Sequence, residues 1–155
     1  MDIEMWMKLL GKSQDDPAVK MALAAAGLKK IPKLRPNRTD IRPDLKGHGL
    51  WLIMTDEAYL KQLDDQDIGE GPLILSGVTA YLDESASNDL YKGELPYKVA
   101  SDMTKADLRK KLGPPVKSDD ELRVYVWSQG GLKVFAHCTK EGKLESFGVM
   151  LPRAE

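Results

Sequence analysis

Two histidines, one cysteine and a cluster of aspartates are the side chains of this chain best suited to catalysis or metal binding. His48 lies between Gly47 and Gly49, and His137 directly precedes Cys138 in an apolar run. Neighbours on a strand project to opposite faces, so His137 cannot serve Cys138 as a base. The lone cysteine excludes an intrachain disulfide and any multi-cysteine metal cluster. No His, Asp or Glu spacing resembles a zinc site. Asp64, Asp65 and Asp67 crowd an acidic stretch with turn character, where carboxylates are usually just solvated. There is no glycine-rich phosphate loop, no Gly-x-Ser-x-Gly elbow and no kinase pattern. The roles an active site must fill stay empty. The expectation is a protein that binds rather than catalyses, with no cofactor and no metal.

Composition narrows the partner. The chain has 155 residues with 23 basic and 24 acidic side chains, a net charge of −1. A dedicated nucleic-acid binder carries a basic stripe, so nucleic acid is not expected. The short basic run Lys29, Lys30, Lys33, Arg35 and Arg38 reads as a solvated connection. No apolar stretch approaches the ~18 residues of a membrane span, and the start Met-Asp-Ile-Glu-Met-Trp lacks the pattern of a secretory signal. A cytoplasmic protein without membrane association is expected. A chain of this length buries enough surface to fold as one domain over 1–155.

The elements that would position these groups are punctuated clearly. Residues 2–10 read as a short helix stopped by Gly11. Asp16-Pro17 starts a second helix, with the carboxylate capping free N–H groups and proline at the first helical position. Val19, Ala22, Leu23 and Ala26 share a face, and Gly27 ends it. Thr39–Leu45 is a strand interrupted by Pro43 and fit only for an edge. Leu50–Thr55 and Leu73–Leu82 are strong strands. Residues 58–63 between them read as a helical turn or a continuation of the strand. Residues 83–96 read as a linker. Thr104 and Asp107 start a third helix, which Gly113-Pro114-Pro115 ends. A meander follows: Leu122–Trp127, a turn at Gln129-Gly130-Gly131, Leu132–Thr139, a turn at Glu141-Gly142, and Leu144–Leu151.

Two segments recur in the same order. Glu70-Gly71-Pro72-Leu73 with Gly77-Val78 matches Glu141-Gly142-Lys143-Leu144 with Gly148-Val149, 71 residues on. Gly49-Leu50 matches Gly131-Leu132, 82 residues on. The difference assigns the acidic Asp56–Gln66 segment to the first half alone. The expected fold is α+β: two diverged α-β-β-β repeats, about 1–82 and 97–155, joined by the linker and forming an antiparallel sheet with helices on one face.

Strand alternation then assigns the faces. One set, Leu122, Val124, Val126, Leu132, Val134, Ala136 and Cys138, is aliphatic and suits packing under helices, as do Leu50, Leu52 and Met54. The other carries Arg123, Tyr125, Trp127, Lys133, Phe135 and His137, joined by Trp51 and Ile53. Aromatics mixed with charges match interface composition; they also serve as ordinary cross-strand pairs. A slip of one residue would exchange the faces. On this assignment the partner-binding candidates are Trp51, Tyr125, Trp127, Phe135 and His137, with Asp64, Asp65 and Asp67 steering a basic partner.

Gly93-Glu-Leu-Pro-Tyr97, then Met103-Thr-Lys-Ala-Asp-Leu-Arg-Lys-Lys-Leu-Gly-Pro-Pro115, then the Gly-Gly-Leu hairpin and closing strand resemble a family of small bacterial immunity proteins paired with toxins. Leu10-Gly-Lys-Ser13 and Asp16-Pro-Ala-Val19 are similar to that family's start. The tandem plan also resembles the β-lactamase inhibitor protein, in which a concave sheet face grips the enzyme, and small outer-membrane-assembly lipoproteins. The resemblance implies a cytosolic antidote that occludes a cognate protein toxin, as monomer or homodimer. The alternative is an adaptor or scaffold module for another protein.

Overall fold

The computed structural model describes residues 2–153. Its helices begin where short polar side chains can satisfy free N–H groups. Asp2 caps α1 (Ile3–Met7) and Asp16 caps α2 (Pro17–Ala25). Asp56 caps α3 (Glu57–Lys61), so the ambiguous stretch after Thr55 is a helical turn. Thr104 and Asp107 form a reciprocal capping box on α4 (Lys105–Leu112), which satisfies two otherwise unpaired donors.

The strands are β1 (Asp40–Ile41), β2 (Asp44–Leu45), β3 (Leu50–Asp56), β4 (Leu73–Tyr81), β5 (Lys117–Asp119), β6 (Val124–Gln129), β7 (Leu132–Cys138) and β8 (Leu144–Met150). They form one antiparallel sheet in the order β1-β3-β4-β8-β7-β6-β5, with β2 also paired to β3. The fold is α+β. Pro43 breaks the first strand into β1 and β2 at the sheet's end, where a missing donor costs least. The short edge strand β5 had no counterpart in the sequence reading.

The halves meet at β4 and β8, where Val78 pairs with Val149. On one side Leu52 pairs with Val78, and on the other Val134 pairs with Val149. The segments matched at offsets of 71 and 82 therefore occupy corresponding strand positions.

One face carries the core. Leu50, Leu52, Met54, Leu75, Val78 and Ala80 from the first half lie with Tyr125, Trp127, Val134, Ala136, Phe147 and Val149 from the second. Ile3 and Trp6 of α1, Val19 and Leu23 of α2 and Leu108 of α4 belong to the same buried cluster. The stretch read as a linker is tied down. Asp89 accepts from the N–H groups of Gly47 and Gly49, and the Tyr91 hydroxyl accepts from Ile3 N–H at 3.0 Å and donates to Glu94 O at 2.7 Å.

Candidate binding face

The β6–β7 hairpin decides which side chains face away from the helices. Gly130 and Gly131 have φ of 56° and 83°, the left-handed values a two-residue turn requires. Gln129 consequently pairs with Leu132, Trp127 with Val134, Val126 with Phe135, and Tyr125 with Ala136. Even positions on β6 therefore share a face with odd positions on β7.

This corrects the assignment from alternation. Tyr125 and Trp127 do not lie on the uncovered face. They are 4% and 1% exposed and pack in the core. Trp127 also donates its indole N–H to Gly113 O at 2.8 Å, anchoring the end of α4. Val124 and Val126, placed under the helices by the sequence, are on the open face instead. Leu122 precedes β6 and is exposed. Alternation holds along β6 and along β7; the phase between them is set by the turn, and a turn of two residues instead of three shifts it by one.

A single row of directly paired residues crosses the open face from one end of the sheet to the other. Asp44 pairs with Trp51, Trp51 with Thr79, Thr79 with Gly148, Gly148 with Phe135, Phe135 with Val126, and Val126 with Lys117. Phe135 and Ile53 bend over the centre of the sheet. A Cβ on Gly148 would come within 2.6 Å of Phe135 Cζ, and one on Gly77 within 3.0 Å of Ile53 Cδ1. Glycine at both places gives these side chains room to lie across the strands.

A groove of about 460 Å³ runs along this face. Trp51, Val124, Val126, Phe135 and Met150 supply apolar surface, Arg42 stands at one side, and Lys117, Ser118, Asp119 and Leu122 stand at the other. Residues from both ends of the sheet line one groove, so the sheet curls around it. The Arg42 guanidinium lies 5.4 Å from the centre of the Trp51 ring, a cation–π contact, and bonds Asp40 at 3.2 Å.

Of the sequence candidates, Trp51 and Phe135 line the groove. His137 shares their face one position along from Phe135, and its Nδ1 is 3.6 Å from Glu145 Oε1. Asp64, Asp65 and Asp67 are exposed but do not line the groove. Their neighbours Ile68, Gly69 and Gly71 line a separate cleft of about 480 Å³ facing Lys33, Arg35 and Arg38. The groove residues missed by the sequence are Arg42, Lys117, Ser118, Asp119, Leu122, Val124, Val126 and Met150. The Gly-Gly turn was the signal that could have found the two valines.

The titratable groups near the face have structural work. Tyr81 donates to Asp44 Oδ1 at 2.9 Å. Burial, and next this bond, push its phenol up to about 12. Cys138 lies on the helix side and burial raises its thiol, which disfavours the nucleophilic thiolate. Among the described residues no group of three or more His, Cys, Asp or Glu side chains could hold a metal ion. No helix among them is long and apolar enough to cross a membrane.

No family model matches the chain, and no curated protein matches it. Among solved structures it is similar to the DUF4309 family protein YjgB of Bacillus subtilis, at 11% identity and a TM-score of 0.46, covering 96% of this chain and 92% of that one. It is also similar to a cysteine-rich secretory protein of Staphylococcus aureus, at 12% identity and a TM-score of 0.46, covering 94% of this chain and 44% of that one.

Proposed function

We propose that this chain is a non-catalytic binding protein that receives another protein on the open face of its sheet. The observation that supports this is the row from Trp51 through Phe135 to Val126, with Met150 beside it, lining a groove on the face opposite α1, α2 and α4. Half-buried aromatic and aliphatic side chains beside Arg42 and Lys117 make the apolar centre and charged rim of a protein interface. The family resemblance makes the partner a cognate toxin, and the mechanism is occlusion in the cytoplasm. The antidote covers the toxin's active-site mouth, and burial of about 1,600 Å² in total would suffice for a specific complex. Trp51 and Phe135 are the anchors, with Val126 and Met150 beside them.

The test is co-purification of a tagged copy with the product of the neighbouring gene, together with growth of cells expressing that product. An equimolar complex and restored growth support the antidote reading. A stable complex with a product that is harmless alone moves the reading to an adaptor.

A further inference from the structure

The open face ends at β5, and the two ends of the sheet differ. At the β1–β2 end, Pro43 interrupts the strand and its carbonyl is already bonded to Leu52 N–H at 2.9 Å. Proline and a broken strand are means by which proteins blunt a sheet edge. At the other end, β5 pairs among the described residues with β6 alone, and Lys117, Ser118 and Asp119 are all exposed. No proline lies between Val116 and Asp119; the Val116 N–H bonds Val126 O at 2.8 Å, and along an antiparallel edge alternate N–H groups point away from the neighbouring strand. Val116 and Leu122 beside it are 69% and 61% exposed. The same three β5 residues form one wall of the groove, with Arg42 and Trp51 opposite.

We infer that the groove's occupant is an extended segment of the partner protein, added as a strand along β5, apolar at alternate positions and acidic where it meets Lys117 and Arg42. This rests on the open face being the partner-binding surface. Strand addition draws on main-chain bonds to a free edge, and every second side chain of the added strand falls on the groove side. Charge selects acidic residues. Arg42, which shares Asp40 with Arg38, and Lys117 stand on opposite walls, against Asp119 as the one acid among the described residues lining the groove. Asp119 already accepts from Leu122 N–H at 2.9 Å. A second copy is the competing occupant, because antiparallel pairing about Ser118 would set Lys117 opposite Asp119. A three-residue edge alone falls well short of the ~1,200 Å² of a stable dimer, whereas a partner also covers the groove.

The test is a nuclear magnetic resonance titration of the full chain with a short synthetic peptide alternating valine and glutamate, against one alternating valine and lysine. The expected result is movement of the Lys117, Ser118 and Asp119 amides together with the Trp51 indole N–H. The glutamate peptide should bind at least about tenfold more tightly, and Lys117→Glu should remove that preference. Movement of Trp51 with β5 amides unchanged overturns strand addition and leaves the binding face standing. No movement anywhere, or equal binding of both peptides, overturns the inference. So does concentration-dependent change of the β5 amides without peptide, which would show a second copy on the edge. The binding face is judged separately, by complex formation of a Val126→Arg variant.

Discussion

The ring of Phe135 lies across Gly148, its paired residue on the neighbouring strand, so closely that a Cβ there would sit 2.6 Å from Cζ. Ile53 lies across Gly77 in the same way in the other half, at 3.0 Å. On this face Phe135 is half-buried, whereas Ile53 is fully buried.

Gly148→Val should therefore be strongly felt. The added side chain meets Phe135, the Thr79 hydroxyl at 2.5 Å and Val78 O at 2.6 Å. Overpacking of this kind costs about 1–3 kcal/mol. Urea unfolding should show a lower midpoint with an unchanged slope. Gly77→Ala should cost less, because its nearest neighbour is the end of a flexible side chain. A Gly148→Val midpoint equal to the parent's would refute the contact.

Two tryptophans that look alike in the sequence should separate. Trp127→Ala removes a buried ring and its bond to Gly113 O, and should lose about 3–5 kcal/mol. Trp51→Ala removes a half-buried ring under Arg42 and should lose about 1–2 kcal/mol. Thermal unfolding of the two variants side by side reads the difference.

Thr79 is fully buried, and its hydroxyl has no protein partner among the described residues. Valine has nearly the same shape without the polar atom. Thr79→Val should leave stability unchanged or raise it by up to about 1 kcal/mol. A clear loss in chemical denaturation would mean that the hydroxyl is bonded in solution.

Tyr81 makes stability depend on alkaline pH. Its folded pKa, about 12, lies above the ordinary value of 10.0. Between these values the unfolded chain releases the proton and the folded chain keeps it, so stability present below pH 10 is lost as pH rises towards 12. Tyr81→Phe should flatten the decline. Denaturation midpoints at several pH values across that window measure it.

The caps were legible because each is local: Asp16-Pro17 and Thr104…Asp107 need only a few residues to declare a helix start. The edge position of 40–45 followed from Pro43. Leu52 pairs with Val78 as Val134 pairs with Val149, although the matching segments carry no information on which face is open. That depends on inter-strand phase: a three-residue turn at Gln129-Gly130-Gly131 would keep the even positions of both strands on one face, whereas Gln129 pairs with Leu132 and the loop is the two residues Gly130-Gly131. Trp51 and Phe135 were found because their strands were phased correctly. Arg42, Lys117 and Met150 were not, since they are distant in sequence and meet only when the sheet curls.

The central claim is that a partner protein seats on the open face, and affinity for the neighbouring gene's product tests it most directly. Val126→Arg sits mid-groove, and Met21→Arg, on the exposed side of α2, serves as a control. With both variants folded as judged by thermal unfolding, Val126→Arg should weaken the complex at least about thirtyfold, as loss of ~2 kcal/mol at an interface centre does, and Met21→Arg should leave it unchanged. A Val126→Arg complex as tight as the parent's, with Met21→Arg weakened, would place the partner on the helix side and contradict the account.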